Sequence, residues 1–196
     1  SKVIQLFYGQ TVSRIFVENE VRSSNYSPIC FFTVPLPSPD SISREISRSS
    51  PINLIDCFEE FTRAEHLNGD NQWKDDDGNA HDAVKKIDVW DFPQILIVCL
   101  KRFDNFGRKR GDFVDFPIDN LDLTNYCVGY NKFKSHFELT GVCNHSGGAG
   151  FGHYYSYCKY RDGNWYEFND RSVSKINSNS IITNAAYCLF YRKKKL

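Results

Sequence analysis

The residue types that make the acid–base half of a nucleophilic site stand in the last third of the chain, on either side of a turn. His153 follows Gly152 and opens an aromatic run, His-Tyr-Tyr-Ser-Tyr157. Arg161-Asp-Gly-Asn164 reads as a turn, and a second run, Trp165-Tyr-Glu-Phe168, ends in Asn169-Asp170. Folded as a hairpin, this stretch brings His153, at the start of one strand, near Asn169, at the end of the other. An imidazole held by an amide or a carboxylate keeps one tautomer and one orientation, which is what a general base needs beside a nucleophile. Just before it, His145-Ser-Gly-Gly-Ala-Gly-Phe-Gly152 holds four glycines in eight residues. Such a loop can let a ligand backbone approach closely. A lone histidine before a tyrosine-rich strand is also what a packed sheet histidine looks like, and spacing alone leaves both readings open.

The rest of the chain supplies the elements that would position these groups. Residues 11–17 read as a strand, Asn19–Pro28 as turn-like, and Cys30–Val34 as a second strand. Pro35 to Pro51 reads as a serine-rich, mobile connection, because proline breaks a ladder. Leu54, Cys57, Phe58 and Phe61 fall at helical spacing on one stripe, with Asn53 as N-cap and Asp56 in the first turn. Glu65–Ala80 is polar and carries Asp75-Asp-Asp77 before Gly78. Without a distal glutamate at loop spacing, this reads as a solvated turn rather than a cation loop. From Val84 onward the pattern is β. Ile95–Leu100 is a continuous apolar run, expected to be buried on both faces. Phe113–Phe116 is a short strand, and Phe137–Val142 leads into the glycine-rich loop. Tyr154–Tyr160, Trp165–Phe168 and Ala186–Tyr191 close the chain. Many strands in meander order with one clear helix predict an α+β fold with an antiparallel sheet.

Composition narrows the function. Lys+Arg and Asp+Glu are both 24, so the formal net charge is zero, which disfavours nucleic acid or acidic lipid as a partner. Arg192-Lys-Lys-Lys195 is a local exception and reads as a solvated end. No apolar run has the length of a membrane span. The seven cysteines are odd in number and form no CxxC, and several sit in apolar runs. They are expected to be free, mostly buried thiols in a reducing compartment, cytoplasm or nucleus, with no cysteine zinc site and no cofactor. A chain that starts at Ser1 reads as a piece of a longer one.

Several stretches of the chain together resemble the ubiquitin-specific proteases. Gly152-His-Tyr-Tyr-Ser-Tyr157, Trp165-Tyr-Glu-Phe-Asn-Asp170 with Val173, and Ala186-Tyr-Cys-Leu-Phe-Tyr-Arg192 resemble that family's histidine box. Upstream, in the family's order, stand Gln5-Leu-Phe-Tyr-Gly-Gln10, Val34-Pro-Leu-Pro37, Leu54-Ile-Asp-Cys-Phe58, Trp90-Asp-Phe-Pro93, Leu100-Lys-Arg-Phe103, Val114-Asp-Phe-Pro117, and Leu139-Thr-Gly-Val142 with His145. The resemblance covers nearly the whole chain. It implies a papain-like cysteine protease fold of thumb, palm and fingers. About residues 1–90 would be fingers and connecting helix, and about 91–196 the palm. The implied reaction is thiol hydrolysis of the bond after ubiquitin's C-terminal glycine. His153 would be the general base, Asn169 its orienter and Asp170 a neighbour that helps organise the site. His145, Gly147, Gly148, Phe151, Gly152 and Tyr154 would border the channel for ubiquitin's tail.

Two departures from the family qualify that picture. Its cysteine box, with the nucleophile at a helix start, is absent from this sequence; it is expected upstream of Ser1, together with the thumb. Cys158, on the histidine strand, reads as a packing residue. The two CxxC pairs that hold zinc in the fingers of many relatives are absent around Val17–Glu20 and around Asp75–Gly78, so no metal is expected. Partners implied are ubiquitin or a ubiquitinated protein and the upstream thumb. The two functional readings are the base half of an active deubiquitinating enzyme and a catalytically silent ubiquitin-binding module.

Overall fold

A computed structural model describes residues 1–38 and 51–195. In chain order its elements are α1 (Lys2–Phe7), β1 (Gly9–Val17), β2 (Glu20–Ile29), β3 (Phe32–Pro35), β4 (Ile52–Asn53), α2 (Leu54–Phe61), β5 (Glu65–Leu67), β6 (Trp73–Lys74), β7 (Ala80–His81), β8 (Ala83–Asp91), β9 (Ile95–Lys101), β10 (Val114–Asp115), β11 (Leu121–Asp122), β12 (His136–Gly147), β13 (Gly152–Lys159), β14 (Trp165–Asn169), β15 (Ser172–Ile176) and β16 (Ala186–Lys193). Two sheets organise them. A four-stranded antiparallel sheet has the order β2-β1-β8-β5. A larger one has the order β15-β14-β13-β12-β16-β9-β3, with β11 against β12. In the larger sheet β3 runs parallel to β9 and the other pairs are antiparallel.

Three readings of the sequence are corrected here. Asn19–Pro28 is not turn-like: Glu20–Ile29 is a strand paired with β1 from Val17↔Glu20 to Gly9↔Ile29. The turn is only Glu18-Asn19, both at positive φ (53° and 67°), a backbone that suits the twist of a two-residue hairpin. β2 is an edge strand exposed along nearly all its length, so no alternation of apolar residues announces it. β9 is buried on one face only: Leu96, Val98 and Leu100 are interior, while Ile95, Ile97 and Cys99 are half-buried. Third, the thiols are not mostly buried, since only Cys57 and Cys127 are. β15 was not foreseen; four of its five residues are exposed. The connection expected between Pro35 and Pro51 lies largely outside the described residues.

Helix α2 forms where its stripe and cap predict. Asn53 Oδ1 accepts from the Asp56 amide at 2.9 Å, and Asp56 Oδ2 accepts from the Asn53 amide at 2.8 Å. This reciprocal capping is worth about 1 kcal/mol. Leu54, Cys57 and Phe58 are fully buried. Phe58 and Phe32 meet Phe92, which meets Phe137, at ring separations of 5.5–6.3 Å. That aromatic chain joins the helix to the large sheet, and burial pushes the Cys57 thiol up to about 12. Beyond the end of β9, Arg102 is wholly buried. Its Nε donates to the Ala186 carbonyl at 2.7 Å, and its Nη1 donates to the Asp112 and Arg110 carbonyls at 2.8 and 3.1 Å. Lys109 Nζ donates to the His145 carbonyl. These bonds tie the segment after β9 to the starts and ends of β16 and β12, where the candidate site lies.

The three-aspartate stretch forms a turn. Asp75 Oδ1 accepts from the Asp77 and Asn79 amides at 3.0 and 2.8 Å, and Asp75 Oδ2 lies 2.8 Å from His81 Nε2. The His81 bond, aided by Asn79, holds the Asp75 carboxyl down at about 2. Trp73 packs on the His81 ring at 5.9 Å. Among the described residues no group of three or more His, Cys, Asp or Glu is placed to hold a metal ion, and no helix is long and apolar enough to cross a membrane.

Candidate functional site

The hairpin read from the sequence is present. β13 and β14 pair from Ser156↔Phe168 to Lys159↔Trp165. On its other side β13 pairs with β12 as far as Ser146↔His153 and Gly147↔Gly152. The backbone of His153 is therefore held by β12, while its ring reaches the end of β14. His153 Nε2 lies 2.6 Å from Asn169 Oδ1. Asn169 Nδ2 donates to Glu167 Oε1 at 3.4 Å. A carboxylate only accepts, so it takes the NH₂ end of the amide and leaves the oxygen for the ring. Nε2 therefore carries the proton, and Nδ1 keeps a lone pair free to accept one. The ring is exposed and lies nearly parallel to Tyr155, 18° between planes at 6.3 Å. Among the described residues no thiol is within hydrogen-bonding reach of it.

Asp170 is adjacent but not part of this contact. It is exposed, occupies the β14–β15 turn at φ 51°, and its carboxylate meets no partner among the described residues. Aspartate tolerates that left-handed backbone better than most residues; the turn is what it serves in this geometry.

A pocket of about 420 Å³ is lined by Phe103, His145, Gly148, Ala149, Gly150, Phe151 and the two residues that flank His153 in the chain, Gly152 and Tyr154. Five of the six residues expected at a channel line it; Gly147 does not. Gly147 instead turns the chain at φ 97° and lets the Gly148 amide donate to the Phe151 carbonyl at 2.9 Å. The pocket floor is aromatic. His145 packs on Tyr154 at 4.5 Å with 35° between the ring planes, and meets Phe103 and Tyr187 at 5.8 Å. His145 is 3% exposed. Burial, then the nearby Lys109 ammonium, lowers its pKa, so at neutral pH it is an uncharged ring among rings. Phe151 stands at the rim, largely exposed. Gly152 packs against His145 so closely that an added Cβ would collide with Nε2 of that ring and lie 2.8 Å from the Ser146 carbonyl oxygen.

Several residues of the site escaped sequence reading. Glu167 stands two before Asn169, hence on the same face of the strand, and that parity was the available signal. Phe103 and Tyr187 come from β-strand ends distant in sequence, and only the pairing of β16 with both β9 and β12 brings them together.

Residues 1–191 match the family model described as ubiquitin carboxyl-terminal hydrolase. Ubiquitin carboxyl-terminal hydrolase 10 of Arabidopsis thaliana is 40% identical over 190 residues, covering 93% of this chain and 20% of that protein. Ubiquitin carboxyl-terminal hydrolase 15 of Homo sapiens is 38% identical over 160 residues, covering 79% and 16%. The chain thus spans about a fifth of the length of the curated relatives it matches. Among solved structures, the SAGA Ubp8/Sgf11/Sus1/Sgf73 DUB module bound to ubiquitin aldehyde matches with a TM-score of 0.81 at 27% identity, over 100% of this chain and 43% of that one. A yeast SAGA DUBm with an Sgf73 mutant gives 0.80 and 27%, over 99% and 42%.

Proposed function

The chain belongs to the ubiquitin carboxyl-terminal hydrolase family, and on that premise we propose that it supplies the base half of a deubiquitinating cysteine protease. Its fold is the α+β, papain-like one that the sequence predicted. The observation that carries the proposal is the 2.6 Å contact between His153 Nε2 and Asn169 Oδ1, made by a residue whose two chain neighbours, Gly152 and Tyr154, line a pocket with one glycine-rich wall. In this reading His153 is the general base, Asn169 orients it, and Glu167 orients Asn169. The nucleophilic thiol comes from residues outside this sequence. The thiol gives its proton to His153 Nδ1 and attacks the carbonyl carbon of ubiquitin's last glycine. The imidazolium returns the proton to the departing amine, and water then releases the thioester. The tail of ubiquitin ends in two glycines, which suits the low wall of Gly148, Gly150 and Gly152, with Phe103, His145 and Tyr154 receiving the side chains before them. The solved module bound to ubiquitin aldehyde supports ubiquitin as the partner. Seven thiols with no disulfide support an intracellular location, cytoplasm or nucleus.

The test uses a ubiquitin with an electrophile in place of its C-terminal carboxylate. The full-length protein should gain one ubiquitin mass, and the 196-residue chain, in which no thiol of the described residues lies within hydrogen-bonding reach of His153, should gain none. Binding without labelling by both would make this a recognition module instead.

Two further outcomes follow from the same reading. Gly152→Ala drives a methyl into His145, which Phe103, Tyr154 and Tyr187 hold in place. The start of β13 must yield, and His153 moves with it. A displacement near 1 Å should lower kcat/KM by about 10²-fold. Gly111→Ala, where an added Cβ meets nothing within 4 Å, should leave it unchanged. Equal losses from both, measured on a fluorogenic ubiquitin substrate, would remove Gly152 from the site. Second, the fingertip needs no zinc, because the Asp75 turn with His81 and Trp73 closes it through hydrogen bonds and ring packing. Elemental analysis should find far less than one zinc per chain; one per chain would refute this.

A further inference from the structure

Four of the seven thiols share one face of neighbouring strands of the large sheet. In spatial order β13, β12, β16 and β9 carry Cys158, Cys143, Cys188 and Cys99. Cys188 stands directly opposite Cys99, and Cys143 directly opposite Cys188. The Sγ atoms of Cys99 and Cys188 lie 3.0 Å apart. All four thiols are half-buried, which leaves them partly open to a small oxidant. Cys57 and Cys127 give the contrast. They are buried, and Cys127 spends its S–H on the Trp90 carbonyl at 3.4 Å. Filling space requires no second thiol opposite, so packing alone does not account for the Cys99–Cys188 pair.

We propose that Cys99 and Cys188 form a redox modification site that closes to a cross-strand disulfide under hydrogen peroxide, and that closure weakens the hold of the adjacent aromatic pocket on ubiquitin's tail. The second half rests on the reading of that pocket given above. Directly opposed residues of an antiparallel pair have Cα atoms about 4.5–5.5 Å apart, inside the range that a disulfide spans. The strands therefore need no large movement. At 3.0 Å either sulfur can donate to the other; with Cys188 as donor its S–H favours the Cys99 thiolate and lowers its pKa. The same bond, with burial, raises that of Cys188.

The chemistry balances with peroxide as the only added reagent. The Cys99 thiolate attacks one peroxide oxygen, an S–O bond forms, the O–O bond breaks, and hydroxide leaves to become water. The Cys188 sulfur then attacks the sulfenic sulfur, the S–S bond forms, and the S–O bond breaks. The second hydroxide takes the Cys188 proton. Two thiols have lost two electrons, and one peroxide has become two waters. The link to the pocket is Tyr187, which precedes Cys188 at the bulge of β16. Its ring contacts Phe103, His145 and Tyr154 at 5.8–6.2 Å. Drawing Cys188 toward β9 moves the residue that carries this ring.

The experiment treats the full-length protein with hydrogen peroxide, quenches free thiols, and maps peptides without reduction. A Cys99–Cys188 cross-link is expected, lost in Cys99→Ser and in Cys188→Ser and reversed by dithiothreitol. Oxygen added to separate thiols, or a Cys143–Cys188 peptide in its place, would overturn the site. Ubiquitin binding is then measured on reduced and cross-linked protein, with an expected rise in Kd of about five-fold that is absent in Cys99→Ser. An unchanged Kd with the cross-link present overturns the coupling. Failure of the reduced protein to bind ubiquitin at all would count against the pocket reading, and the peptide map, which involves no ubiquitin, would still decide the disulfide.

Discussion

Replacement of His153 by alanine is expected to abolish labelling of the full-length protein by electrophilic ubiquitin, and to lower turnover by about 10⁴-fold or more. Ubiquitin affinity should change less than two-fold. The asymmetry comes from where the ring sits. His153 is an exposed residue at the start of β13, and its backbone is held by β12 whatever its side chain. Its removal leaves the fold and the pocket of Phe103, His145 and Tyr154 standing. What is lost is an imidazole whose Nε2 is committed to Asn169 and whose Nδ1 alone is free to move a proton. No other group near it can substitute. His145, the nearest other histidine in sequence, is buried with its Nδ1 unpartnered, and its ring belongs to the aromatic floor. Hydrolysis by the variant at the wild-type rate would sink the assignment of His153 as base. A large loss of affinity would place the ring in binding instead.

The meeting of His153 with Asn169 was more legible in the sequence than the strands around it, for physical reasons. His153 and Asn169 are joined by a short hairpin whose turn, Arg161–Asn164, and whose flanking aromatic strands both have strong local signals. Their meeting needs only local pairing. α2 was readable because its stripe of Leu54, Cys57 and Phe58 and its Asn53 cap agree with each other. β2 and β15 were not, because edge strands exposed on both faces carry no periodicity. The half-burial of β9 was misread because a run of apolar residues looks the same whether one face or both are covered. The alternation of interior Leu96, Val98 and Leu100 with half-buried Ile95, Ile97 and Cys99 appears only once the neighbours are in place. The same long-range pairing put Cys99 opposite Cys188 and Tyr187 beside Phe103, contacts that sequence separation hides.

The choice of an amide at position 169 is also explained by a neighbour. A carboxylate could hold the His153 ring as well as the Asn169 oxygen does, but Glu167 already stands 3.4 Å from the far end of that amide. Asparagine presents an oxygen to the ring and an N–H to Glu167. Aspartate would set one carboxylate against another, and like charges so close resist joint ionisation. Asn169→Ala should therefore lower kcat by about 10²-fold or more with little change in KM, because it frees the ring to turn and to take the wrong tautomer. Asn169→Asp should recover part of that loss. Paired with Glu167→Gln, it should recover most of it, because the glutamine amide can donate where the glutamate only accepted. If Asn169→Asp alone matches wild type, and Glu167→Gln adds nothing to it, Glu167 does not orient the amide. The His153–Asn169 contact would then stand without its support.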